Sequence, residues 1–200
     1  MKVFVGVASH ETQHVYSINS CYAMNREPED VYKIRLMPRG DMVRYEYANM
    51  ILADTSYGPD DALLLLDGDQ KHPLDMLEKL RLHDLDMVCA HYYRRDEGRI
   101  QSMCFELGDG TWPYKPFDNP PKEGLHEIGT TGFGCVLIKK KVLQALNAVT
   151  PEGTNMMETD FTFFHKARQL GFRLWLDASL NSDHAVIVWL NHELAERLKK

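Results

Sequence analysis

The chain has 200 residues, 44% hydrophobic and 26% charged, with a formal net charge of −6. That is enough for one domain spanning 1–200 with a proper core. The acidic balance excludes a broad non-specific nucleic-acid surface, though not a local basic groove. No stretch is long and apolar enough to span a membrane, and the apolar run in the opening MKVFVGVASHE is too short for a secretion signal. The four scattered cysteines (Cys21, Cys89, Cys104, Cys135) include no C-x-x-C and read as reduced core thiols of a cytoplasmic protein.

In chain order, Lys2 to Ala8 reads as a buried strand and His14 to Asn25 as a helix. Tyr32 to Met37 alternates like a strand. Pro38-Arg39-Gly40 turns, and Asp41 caps a helix through Met50, Ile51 and Leu52. Leu63 to Leu66, four leucines bounded by Pro59-Asp60-Asp61 and Pro73, predicts a strand buried on both faces. A helix near Pro73 has Leu74, Leu77, Leu80 and Leu82 as its apolar face, and Asp86 to Tyr93 is another strand. From Asp96 to Leu125 the chain is rich in Gly, Pro and aromatics and reads as a long irregular binding segment. There Trp112, Tyr114 and Phe117 could stack on an acceptor or pin the loop. Glu127 to Lys139 is a strand interrupted by glycines, Val142 to Ala148 a short helix, and Glu158 to Leu170 a helix with Phe161, Phe164 and Ala167 on one side and Gly171 as its stop. Phe172 to Asp177 is a strand, and His184 to Lys200 ends in an amphipathic helical tail. Strands alternating with helices at this spacing predict a Rossmann-like three-layer α/β/α sandwich with a mainly parallel sheet.

The chemistry-bearing stretch is Asp67-Gly68-Asp69 at the end of the leucine strand. In extended chain, side chains at i and i+2 point the same way, roughly 6–7 Å apart. Two like charges there repel unless a cation sits between them. Ligands of open α/β sheets bind at the carboxyl ends of strands, where this pair lies. The same residues also suit a plain turn, with Asp69 capping the next helix. An EF-hand loop fails, because Lys71 and His72 stand where an oxygen ligand and a glycine are required. Neither a G-x-G-x-x-G nor a P-loop occurs in the first half, which disfavours a dinucleotide cofactor or a P-loop nucleotide. His10-Glu11-Thr12-Gln13-His14 matches the H-E-x-x-H of zinc peptidases, but it follows a strand directly, where a βα loop belongs, so His10 cannot share a helix face with His14. Arg94 and Arg95 follow a strand at the expected active edge and could grip phosphate.

Four features fall in order: the acidic pair in LLLLDGDQKHP, Gly132-Phe133-Gly134 in TTGFGCVLIKKKVL, Glu158-Thr159-Asp160 opening ETDFTFFHKARQLGFRLWLD, and His184 in SDHA. Together they resemble the GT-A fold glycosyltransferases, especially the compact single-domain members of bacteria and phages. The resemblance covers nearly the whole chain. It implies a GT-A-type fold, with a nucleotide-sugar half over 1–95 and an acceptor and catalytic half over 96–200. It implies that Asp67 and Asp69 hold Mn²⁺ (or Mg²⁺) on a donor diphosphate, with His184 as a further ligand. Imidazole tilts that preference towards Mn²⁺. It implies that Asp160, or Glu158 one residue out of the usual place, takes the acceptor proton. Val7, Ala8 and Ser9 would edge the nucleoside, and Arg44, Asn49, Gly68, Gly132, Phe133 and Gly134 would surround the donor. The Arg-Asn pair frequent in relatives is reduced to Asn49, with Arg44 one turn earlier in its place. The expected activity is metal-dependent, inverting transfer from a UDP-sugar to a hydroxyl acceptor. The acceptor class is open: glycan, lipid, protein or a modified DNA base. A nucleotidyltransferase, a non-catalytic nucleotide-sugar binder and, remotely, the zinc peptidase are the rivals.

Overall fold

The computed structural model describes residues 1–9, 15–36, 40–96, 99–108 and 114–184. The HETQH stretch, Pro38-Arg39, Trp112, the side chains of Asp41 and Arg95, and the tail expected after His184 lie outside them.

The first half alternates as expected. Strand β1 (Val3–Ser9) leads to α1 (Val15–Ala23), β2 (Val31–Leu36), α2 (Gly40–Ala53) and β3 (Ala62–Asp67). The three strands are parallel, with β1 in the middle. Then come β4 (Gln70–Lys71), α3 (Met76–Leu82) and β5 (Met87–Asp96). The leucines of β3 are fully buried on both faces: Leu63 and Leu65 pack towards α2, Leu64 and Leu66 towards α1 and α3. Each such side chain contributes roughly 1.5–3 kcal/mol by leaving water. Helix α3 begins three residues after Pro73 and buries Met76, Leu77 and Leu80. Leu74 and Leu82, expected on that face, are exposed. Leu82 lies two residues past Leu80, roughly 200° around the helix, so it cannot share the stripe.

The second half departs more from expectation. The segment read as irregular forms β6 (Arg99–Ser102), which folds back on β5, then β7 (Cys104–Leu107), β8 (Tyr114–Pro116) and β9 (Leu125–Ile128). The glycine-interrupted strand is three pieces: β9, β10 (Thr130–Thr131) and β11 (Cys135–Lys139). After α4 (Lys140–Val149) and α5 (Asp160–Gln169), strand β12 (Leu174–His184) continues seven residues past Asp177, so His184 ends a strand. On α5 the buried residues are Phe163, Phe164 and Ala167. Phe161 instead packs edge-on against Phe105 and Tyr114 of β7 and β8.

The main sheet runs β2-β1-β3-β11-β5-β12-β4, with β9 also beside β12. Strands β2, β1, β3, β5 and β12 share one direction, and β11 runs against them between β3 and β5. Helices α2, α4 and α5 cover one core and α1 and α3 the other. This is the expected α/β/α, mainly parallel GT-A-type sheet. Its carboxyl edge gathers the ends of β1, β3, β5 and β12. Strands β10, β7 and β8 form a small second sheet over α5.

Candidate active site

The acidic turn is fixed from behind by backbone. Asp67 N–H donates to the Gly134 carbonyl (2.9 Å), and Gly68 N–H donates to the Ala8 carbonyl (2.8 Å). Ala8 is also the register partner of Asp67. A methyl on Gly68 would lie 2.6 Å from Ser9 Cβ and Oγ, so only glycine passes the end of β1 this closely. Val7, Ala8 and Ser9 are buried there. Residues 68–69 turn instead of extending. The two carboxylates therefore find different partners, where extended geometry would have put them side by side.

Asp67 Oδ1 pairs with Arg44 Nη2 at 2.5 Å. Burial pushes against the Arg44 charge, but Asp67 and, further off, Asp160 outweigh it and raise its pKa. The guanidinium lies 5.6 Å over the Phe133 ring, which packs on Phe163 and Phe164 of α5. Asp160 is the first residue of α5. Thr159 caps the helix by accepting from Thr162 N–H (3.1 Å), and Asp160 Oδ1 accepts from Phe161 N–H (3.1 Å). Burial raises the Asp160 pKa, the Phe161 amide and Arg44 oppose the rise, and Asp67 adds to it. Glu158, in contrast, is exposed on the turn before the helix. Asn49 is half-buried on α2, five residues beyond Arg44 and roughly 140° around the helix. Among the described residues Arg44, not Asn49, pairs with the acidic turn.

Asp69 turns the other way. Its Oδ2 is 3.2 Å from His184 Nε2, while His184 Nδ1 is 2.8 Å from the Tyr93 carbonyl. A carbonyl only accepts, so Nδ1 carries a proton. Nε2 of the neutral ring then presents a lone pair to a carboxylate, and a positive charge must sit between them: a proton or a metal ion. The Asp69 bond, with Tyr93 and the charge of Asp67, raises the His184 pKa. Metal-ligating histidines typically have their second nitrogen tied to a carbonyl in this way. Among the described residues, no three His, Cys, Asp or Glu side chains are gathered into a metal cluster. A hard cation carrying phosphates needs only one or two carboxylates and no full protein cage. Asp69 and His184 therefore fit such an ion, with Asp67 adjoining but held by Arg44.

Several residues at the centre escaped sequence reasoning. Buried Tyr92 accepts from Gly134 N–H through its hydroxyl (3.2 Å), and burial, then Asp67, raises its pKa well above normal. A methyl on Gly132 would sit 1.9 Å from that hydroxyl, and one on Gly134 2.2 Å from Gln70 Nε2 and 2.8 Å from Tyr92 Cζ. The room left by these glycines is thus taken by Tyr92 and Gln70, where close approach of a ligand was expected. Gln70 is fully buried, and among the described residues neither its amide atoms nor buried Arg44 Nε has a hydrogen-bond partner. His72 ties β4 to its surroundings: its backbone N–H donates to Ser20 Oγ and its Nδ1 bonds Ser182 Oγ (2.9 Å), with burial pushing its pKa down to about 4. The one available signal for Tyr92 was its place at the carboxyl end of a parallel strand. Tyr114 is buried and bonds His165 Nδ1 (2.9 Å), so it pins the segment. Arg94 is exposed.

No protein-family profile matches the chain, and no curated protein matches it in sequence. Solved structures do. A197 from STIV superposes with a TM-score of 0.62 at 18% identity, over 94% of this chain and 87% of that one. GalNAc-T7, crystallised with UDP, GalNAc and Mn²⁺, gives 0.61 at 11% identity over 94% of this chain. The chain spans 44% of the GalNAc-T7 chain's length. At such identities the likeness shows the fold, which is of GT-A type.

Proposed function

We propose that the protein is a metal-dependent glycosyltransferase that moves a sugar from a nucleoside diphosphate sugar, UDP-linked, to a hydroxyl acceptor. The observation that carries this reading is the His184–Asp69 pair at the carboxyl edge of the sheet, its Nδ1 proton fixed by Tyr93 and its Nε2 facing a carboxylate. The UDP, GalNAc and Mn²⁺ in the GalNAc-T7 structure support it. A Mn²⁺ or Mg²⁺ ion held by Asp69 and His184, with Asp67 adjoining, would neutralise the departing diphosphate.

The chain's own residues do the rest. Val7, Ala8 and Ser9 border the nucleoside. Arg44 holds Asp67 in place and lies within charge range of Asp160. Asp160 is the base: it takes the acceptor hydroxyl proton as that oxygen bonds to the anomeric carbon, and the bond from that carbon to the diphosphate breaks on the opposite face. A carboxylate with a raised pKa suits this, because proton transfer is most efficient when the pKa approaches working pH. Exposed Glu158 is outside this set. The test is Asp160→Asn. It should retain nucleotide binding in the presence of Mn²⁺ while transfer, or donor hydrolysis, falls roughly 10²–10⁴-fold. Equal loss of binding and turnover, or no loss of either, would contradict the assignment.

A further inference from the structure

A cavity of about 1010 Å³ lies beside the centre, lined by none of the residues assigned to donor or metal. Its walls are the β5–β6 hairpin, the 116–122 segment and a break in β12. Strand β12 pairs with β5 at Asp177↔Ala90 and again at Asn181↔His91, so the residues between loop out. Such bulges re-aim side chains next to active sites. Buried His91 joins two walls, bonding Asn181 Oδ1 (3.1 Å) and Ser102 Oγ (3.0 Å). Tyr93 belongs to both places: its carbonyl holds His184, and the residue, 40% exposed, lines the cavity.

The lining states a chemistry. Among the described residues that line it, Lys122 is the cation and Asp118 the acid, so their formal charges balance. A polyanion would need a cluster of cations, and a lipid chain a continuous apolar wall. What the cavity offers is the rings of Tyr93 and Phe117 with the amides of Gln101 and Asn119, the Asn181 amide being taken up by His91 and Asp183. Each amide presents donor and acceptor at fixed spacing, which matches neighbouring sugar hydroxyls. Aromatic faces take the C–H faces of sugar rings. At about 1010 Å³ the cavity lies at the upper end of the range for a single ligand, about 300–1,000 Å³, which suits one short oligosaccharide.

We propose that this cavity binds a neutral oligosaccharide and is the acceptor subsite. Its role as acceptor site rests on the sugar-transfer reading; saccharide binding does not. The test is calorimetric and NMR titration of the full chain with neutral tetrasaccharides of the malto-, cello-, manno-, xylo- and chito-series, without nucleotide or metal. At least one series should bind saturably, and the Gln101→Ala/Asn119→Ala variant should bind it at least about tenfold more weakly with its melting temperature and Mn²⁺–UDP binding unchanged. No binding from any series, binding that ignores the variant, or preferential saturable binding of a short DNA duplex or peptide at the cavity would overturn it. Saccharide binding without any nucleotide binding would sink sugar transfer and leave the site standing. Nucleotide binding without saccharide would do the reverse.

Discussion

Gly134→Ala tests how the acidic turn is held. The new methyl would lie 2.2 Å from Gln70 Nε2 and 2.8 Å from Tyr92 Cζ, where ordinary contact is 3.4–4 Å. The neighbours must therefore yield by more than an ångström in places. Gln70 is fully buried, and the Tyr92 hydroxyl is tied to Gly134 N–H. Overpacking of this kind costs about 2–3 kcal/mol. For a chain of this length each kcal/mol moves the melting temperature by roughly 2–4 °C, so a fall of about 5–10 °C is expected in a thermal melt followed by circular dichroism. The Gly134 carbonyl also accepts from Asp67 N–H, so Mn²⁺-dependent nucleotide binding should weaken together with stability. Adding Gln70→Ala makes room and removes an amide with no partner, and it should restore at least half the loss. A melting temperature within about 1 °C of wild type would refute the packing argument.

Arg44→Met removes the cation that lowers the Asp160 pKa and leaves Asp67, which raises it, so the acid limb of the transfer rate should move to higher pH; an unmoved limb would separate Arg44 from Asp160. His184→Ala should weaken Mn²⁺-dependent nucleotide binding by at least about tenfold in calorimetry, and unaltered affinity would remove it from the metal site. Asp177 contributes to acid stability. Burial pushes its carboxyl up, but bonds from the Ser179 hydroxyl and amide (2.6 and 3.0 Å) and His83 (2.8 Å) outweigh that and hold it below its ordinary value. Its folded pKa lies below its unfolded one, so its contribution is full above about pH 4 and is lost as pH falls through the folded value. Asp177→Asn should flatten the melting curve's acid limb below that pH, and superimposable limbs would count against it.

The parallel half was legible because its strands are buried on both faces and declare themselves as apolar runs such as Leu63 to Leu66. The reversed strand β11 was not, since an apolar five-residue run carries no mark of direction. Strands β6 to β8 were hidden because they are three or four residues long and lie among Gly, Pro and aromatics, so pairing, not propensity, makes them strands. At the site, spacing marked the Asp67–Asp69 pair and the resemblance marked His184, but neither announced the Arg44–Asp67 pair, which depends on a side chain from another element. The glycines at 132 and 134 were noticed for a sound reason, close approach, yet what approaches is Tyr92 and Gln70, which no local pattern announces.

The most direct test of sugar transfer is thermal stabilisation by UDP and UDP-, GDP- and dTDP-sugars, each with and without Mn²⁺. At a hundredfold excess over its dissociation constant a true ligand adds about 2.7 kcal/mol, a rise of roughly 5–10 °C here. The expected result is that rise for a UDP-linked compound, only with Mn²⁺ present, and its loss in Asp69→Asn. No shift with any nucleotide, or one indifferent to metal and to Asp69, would contradict the account.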